Sequence, residues 1–158
     1  MPPNALENET GKTRPFNMPE QSVVLNILRT NELLQHRFGR LFREYHLTQP
    51  QYNILRILRG EGDRLPCLEI ANRMIAVVPA ITRLIDKLEQ RGLVTKERCA
   101  KDRRVWFVEI TERGLELLSQ LDGPMRELYR QLVGHLSHEQ CMTLVKLLEE
   151  TREPLIDS

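Results

Sequence analysis

The stretch Ile81-Thr82-Arg83-Leu84-Ile85-Asp86-Lys87-Leu88-Glu89-Gln90-Arg91-Gly92-Leu93-Val94 decides how this chain is read. Ile81, Leu84, Ile85 and Leu88 recur at i, i+3, i+4, i+7, which lines one face of a helix. Ala80, Thr82, Arg83, Asp86, Lys87 and Gln90 face the other way. Pro79 stands where a helix can begin, and Gly92 after Arg91 supplies a stop. The spacing predicts a helix that buries one face and shows water a face of small, polar and basic groups.

Downstream the period changes. Residues 93–98 and 105–110 are rich in β-branched and aromatic side chains and read as two strands, with Trp106, Val108 and Ile110 on one face. Between them Cys99-Ala100-Lys101-Asp102-Arg103-Arg104 is too long for a two-residue turn and predicts a hairpin with a projecting basic tip. Thr111 then caps a helix carrying Leu115, Leu118, Leu121, Met125, Leu128, Tyr129 and Leu132, which Gly123-Pro124 should kink. Ser137 and Gln140 form a capping box for a last helix with Leu144, Leu147 and Leu148.

Upstream, residues 20–45 place Val24, Ile27, Leu28, Leu34, Phe38, Leu41, Phe42 and Tyr45 at helical spacing. A helix of that length would span ~38 Å, long enough to pack against something beyond its own small core. Thr48 and Gln51 make a capping box with Pro50 in the first turn, followed by Tyr52, Leu55, Ile57 and Leu58, and Gly60 with Gly62 ends that helix. A short helix follows Pro66, with Leu68, Ile70, Ala71, Met74 and Ile75. The order is a long helix, three short helices, a β-hairpin and two helices. That makes a mainly α chain with a small β-hairpin, in the arrangement of a winged helix-turn-helix.

The 158 residues fit one ordinary domain, or a small domain plus dimerisation arms. Hydrophobic residues at 41% and charged residues at 28% exclude wholesale disorder, and no run approaches the ~18 apolar residues of a membrane span. Residues 1–19 lack the apolar core of a secretory signal and read as a flexible lead-in, so the expected location is the cytoplasm. Three cysteines without a CxxC pair, Cys67, Cys99 and Cys141, exclude a zinc ribbon and are expected as free thiols.

The net charge of +1 announces no polyanionic partner, but it is an average. Residues 77–107 hold eight basic side chains against four acidic ones, a surplus of four. Residues 112–158 hold nine acids and five bases. The neutral total is a basic head on an acidic frame.

Four segments in order resemble the MarR family of bacterial transcriptional regulators. They are the Ile81-to-Val94 stretch, Asp102-Arg103-Arg104 against the family's Asp-x-Arg wing, Val108-x-Ile110-Thr111-x-x-Gly114, and Leu47-Thr48-x-x-Gln51-Tyr52-x-Ile54-Leu55. The resemblance spans residues 21–148. It implies a homodimeric winged helix-turn-helix repressor whose terminal helices interlock, and which a small aromatic or lipophilic molecule releases from a palindromic operator. Residues 20–46 and 112–158 would then form the dimerisation region and residues 47–111 the DNA-binding domain.

On that reading Val78, Pro79, Ala80, Thr82, Arg83 and Lys87 face the major groove. Arg83 would meet guanine or a phosphate, and Val78, Pro79 and Ala80 thymine methyls. The family often carries Ser or Thr at positions 79 and 80. Arg104 belongs at the minor groove, held by a charge-assisted hydrogen bond to Asp102, while Arg98, Lys101 and Arg103 take phosphates. Backbone N–H groups near Thr48, Gln49, Pro66 and Cys67 are further phosphate anchors. His36 and Arg40, with Tyr52, are placed where family effector pockets lie, although Tyr52 equally fits a core.

Two alternatives stand beside this reading. One is a redox-responsive regulator using Cys67, at a helix start that favours thiolate, or Cys99 in the wing. The other is a winged-helix module that binds protein. His135, His138 and Cys141 imitate a metal site only loosely, so no metal or other cofactor is expected. With no nucleophile–base pair and no phosphate loop, no catalytic residue is assigned, and the chain does not read as an enzyme.

Overall fold

A computed structural model describes residues 5–11 and 18–156. The chain divides into two compact units, one ending at Tyr52 and the other beginning at Asn53.

The first unit holds α1 (Ala5–Glu9) and α2 (Pro19–Glu44), with the start of α3 (Gln49–Glu61). Helix α1 falls in the expected flexible lead-in. Its Leu6 is buried, and its Glu9 pairs with Arg29 of α2 at 3.2 Å. Residues 1–4 and 12–17 of that lead-in lie outside the described residues. Helix α2 has 26 residues, so it runs ~39 Å. Phe42 is its one buried residue, while Val23, Val24, Leu28 and Leu33 are exposed. His46 takes the left-handed conformation, φ 55°, and Leu47 N–H reaches back to Phe42 O at 3.0 Å, which ends α2. The Phe42 ring stacks on Tyr52 with centroids 4.5 Å apart. The capping box is reciprocal: Thr48 N–H donates to Gln51 Oε1 at 3.0 Å and Gln51 N–H to Thr48 Oγ1 at 3.3 Å.

The second unit continues through β1 (Leu65–Pro66), α4 (Cys67–Asn72), α5 (Ile81–Gln90), β2 (Val94–Arg98), β3 (Trp106–Ile110), α6 (Glu112–Val133) and α7 (His138–Ile156). The hairpin gains a third strand, giving an antiparallel sheet in the order β1-β3-β2, with Leu65 opposite Val108 and Lys96 opposite Val108 on its other side. Two residues are too few to show an alternating pattern, and Pro66 is tolerated because β1 is an edge strand. Ile54, Leu55, Leu58, Ile70, Ile85, Leu88, Val108, Leu118 and Leu121 are fully buried and form the core.

Arg59 of α3 clamps Asp122 of α6 through two parallel hydrogen bonds of 2.9 and 3.0 Å. Thr111 caps α6 as expected, accepting from Gly114 N–H at 3.1 Å, and its hydroxyl donates to Gly92 O at 2.6 Å. The helix passes through Pro124 without ending. Ser137 and Gln140 form the second reciprocal box, at 2.9 and 3.2 Å.

Two boundaries differ from the sequence reading. Helix α4 stops at Asn72: beyond it Met74 N–H bonds Ala71 O, three residues back, at 3.3 Å, so Met74 and Ile75 lie outside the helix. Helix α5 starts at Ile81 instead of Pro79. No helix among the described residues is long and apolar enough to cross a membrane.

Candidate nucleic-acid interface

Helix α5 buries Ile85 and Leu88 and leaves Thr82, Arg83 and Lys87 exposed. Val78, Pro79 and Ala80, expected on its first turn, precede it in an irregular segment. Ala80 is left-handed, φ 59°, and caps the helix only through its carbonyl, which accepts from Arg83 N–H at 3.0 Å. No Ser, Thr, Asp or Asn side chain stands there to cap the helix, which is why it begins late. Gly92, φ 69°, ends α5 as the sequence predicts. There Gly92 N–H donates to Glu89 O at 2.8 Å and Leu93 N–H to Leu88 O at 3.0 Å.

The acidic side chains of α5 face the sheet. Asp86 pairs with the Lys96 ammonium, and Glu89 accepts the Lys96 backbone N–H at 2.9 Å. The hydrogen bond that the Lys96 ammonium donates to Asp86 raises the Lys96 pKa above its ordinary value. Lys96 also lies 4.9 Å from the centroid of the Trp106 ring, and the Arg98 guanidinium 4.8 Å from it. Arg64 pairs with Glu97 at 3.3 Å and covers the Phe107 ring at 4.6 Å.

The wing closes through Cys99 N–H on Val105 O, 2.9 Å, and Val105 N–H on Asp102 O, 3.0 Å. Lys101, Asp102, Arg103 and Arg104 are exposed at its tip. Asp102 does not bind the Arg104 guanidinium as expected. Its Oδ1 accepts the Arg104 backbone N–H at 3.0 Å, because a carboxylate two residues back reaches the main chain within the turn.

The remaining expected sites fare differently. Pro66 has no N–H to offer a phosphate and serves as edge strand and helix cap. The Thr48 N–H is taken by Gln51. Thr48 and Gln49 belong to the first unit, as do His36 and Arg40, exposed on α2, and Tyr52, whose buried ring is committed to Phe42. The structure therefore collects Thr82, Arg83, Lys87, Arg98, Lys101, Arg103 and Arg104 in one unit, and leaves the proposed effector residues in the other. Cys67, Cys99 and Cys141 are free and half-buried. Burial pushes the Cys67 thiol up, with Lys96 opposing and Asp86 adding to the rise, so its helix start does not favour thiolate. Among the described residues no three His, Cys, Asp or Glu side chains group as a metal site needs.

Sequence reading missed Lys96 and Trp106. The one signal for Lys96 was Asp86 and Glu89 at i, i+3, which share a helix face and favour a cation beside them.

Comparison with known proteins bears on this surface. The MarR family profile matches residues 47–106. A MarR transcription factor from Planctomyces limnophilus is 36% identical with a TM-score of 0.68, over 85% of this chain and 98% of that one. A MarR family regulator from Streptomyces coelicolor, solved in complex with DNA, is 25% identical with a TM-score of 0.75, over 90% of this chain and 92% of its own. The homoprotocatechuate degradative operon repressor of Escherichia coli is 27% identical over 129 residues, which is 82% of this chain and 86% of the repressor. A profile match over the helix-turn-helix and wing, and a 36% identical relative spanned almost end to end, show that the chain belongs to the MarR family of transcriptional regulators.

Proposed function

We propose that the protein is a homodimeric, sequence-specific DNA-binding repressor that acts in the cytoplasm by binding alone, without catalysis. A small aromatic or lipophilic effector releases it from a palindromic operator. One observation carries the reading. Arg59, Arg64, Arg73 and Lys96, which brace the scaffold, all have carboxylate partners. Arg83, Lys87, Lys101, Arg103 and Arg104 are exposed and have no carboxylate within 4.0 Å among the described residues. A surface of unneutralised cations on a reading helix and a hairpin tip suits phosphates and groove edges.

In this reading residues 47–111 bind DNA. Arg83, Thr82 and Lys87 face the major groove, with Val78, Pro79 and Ala80 at its edge, and Arg104 enters the minor groove. Residues 20–46 and 112–158 make the dimer. Helix α7 supports this, since it has no buried residue and exposes Met142, Leu144, Val145 and Leu147. Two reading heads set half-sites about one helical turn apart. An effector acts by favouring a dimer in which that spacing is wrong. The Escherichia coli relative is named for degradation of an aromatic acid, which supports an aromatic effector.

The test is selection of duplexes from a random library by the purified protein. Enrichment of an inverted repeat is expected, with Arg104→Ala weakening binding to it about ten-fold and lowering the salt slope by about one. Failure to enrich any sequence, or an unchanged dissociation constant for a folded Arg104→Ala dimer, overturns the reading.

A further inference from the structure

Arg98 is held differently from every other cation of the wing. The scaffold cations Arg64, Arg73 and Lys96 are fixed by carboxylates, which cancel their charge. At the wing tip Lys101, Arg103 and Arg104 keep their charge on exposed side chains. Arg98 is exposed, has no carboxylate within 4.0 Å among the described residues, and rests on the Trp106 ring at 4.8 Å. An aromatic face fixes a guanidinium without neutralising it, and leaves the in-plane N–H donors free for an anion.

The ring itself is fixed. Trp106 stands directly opposite Arg98 in the β2–β3 register. Its ring also meets Lys96, whose ammonium pairs with Asp86 and lies 3.9 Å from Glu89, both on α5. A continuous series thus runs from the reading helix through Lys96 and Trp106 to Arg98.

We infer that Trp106 is a positioning residue of the DNA-binding surface, holding the Arg98 guanidinium at the base of the wing, in register with the reading helix, to receive a backbone phosphate. The inference rests on the DNA-binding reading above. Its physical gain is entropic. A free arginine loses rotamer freedom when it takes a phosphate, and one already stacked on a fixed ring loses less.

The test is a double-mutant cycle between position 106 and position 98, using a duplex enriched by the wild-type protein and titrated over a range of salt. Trp106→Leu and Trp106→Met, which remove the π face, should each weaken binding about three- to ten-fold. Trp106→Phe should restore most of it. Arg98→Ala should lower the salt slope by about one, and Trp106→Met should then cost nothing further in that background. Circular dichroism checks that each variant is folded, and Trp106→Met replaces Trp106→Leu if the latter is not. Equal losses from Trp106→Met with and without Arg98 overturn the inference, because the ring would then act through the fold alone. So does a folded Trp106→Met that binds like wild type. Arg104→Ala in the same series separates the two readings: if it too binds unchanged, DNA recognition by the wing fails as a whole.

Discussion

Asp102 Oδ1 accepts the backbone N–H of Arg104 at 3.0 Å. The acid that seems out of place among phosphates is therefore a turn-former, and its negative charge is incidental to that work. An asparagine at position 102 retains the accepting oxygen and drops the charge. Asp102→Asn should bind DNA at least as tightly as wild type, and Asp102→Ala about two- to ten-fold more weakly. Equal weakening by both substitutions, measured by fluorescence anisotropy, would show that the carboxylate charge matters after all.

Gly114 of α6 sits against Leu93 and against Ile110 of β3. A Cβ there would collide with Leu93 O and lie 2.7 Å from Ile110 Cγ1, and a backbone oxygen cannot step aside. Gly114→Ala should cost about 1–3 kcal/mol in thermal or urea unfolding. Gly60→Ala, exposed in the last turn of α3 with nothing beyond its chain neighbours and its own helix backbone within 4 Å of the added carbon, should instead gain about 0.5–1 kcal/mol. A neutral Gly114→Ala would show that α6 can shift away from the strand.

The Lys96 pair has a pH signature. Its pKa is raised in the fold by Asp86, so the stabilisation is fully present below the ordinary lysine value and is lost as pH rises through the raised one. The stability difference between wild type and Lys96→Met should be flat from neutral pH to about 9 and shrink towards pH about 11. A difference already lost at neutral pH would contradict this assignment.

Cys67 should be a slow thiol. Because burial raises its pKa, alkylation of a variant retaining only this cysteine should reach half its maximal rate above pH about 8.5. Half-maximal alkylation below that value would revive the redox reading at Cys67.

What was legible in the sequence was whatever repeats over several residues. The stripe Ile81, Leu84, Ile85, Leu88 placed α5 and its buried face, and the Thr48–Gln51 and Ser137–Gln140 pairs were recognisable as boxes because both partners sit three apart. What was not legible depends on the fold. Strand β1 is two residues long, and only its pairing with Val108 and Phe107 makes it a strand. The late start of α5 reflects a missing cap at Ala80, an absence that apolar spacing does not register. The Asp102 acceptor and the Lys96–Trp106–Arg98 series are questions of which atom faces which, and residue type alone allowed a side-chain pairing as readily as a main-chain one.

Helix α7 runs for 19 residues with no interior of its own. In the dimer reading its folding is a bimolecular event, so the association constant becomes part of the unfolding free energy. The melting temperature should then climb with protein concentration, and dilution alone should melt the C-terminal arm. The number of copies in a cell would set not just how many operators are occupied but how much of each chain is folded, so a falling supply would inactivate the regulator through mass action before any effector arrives.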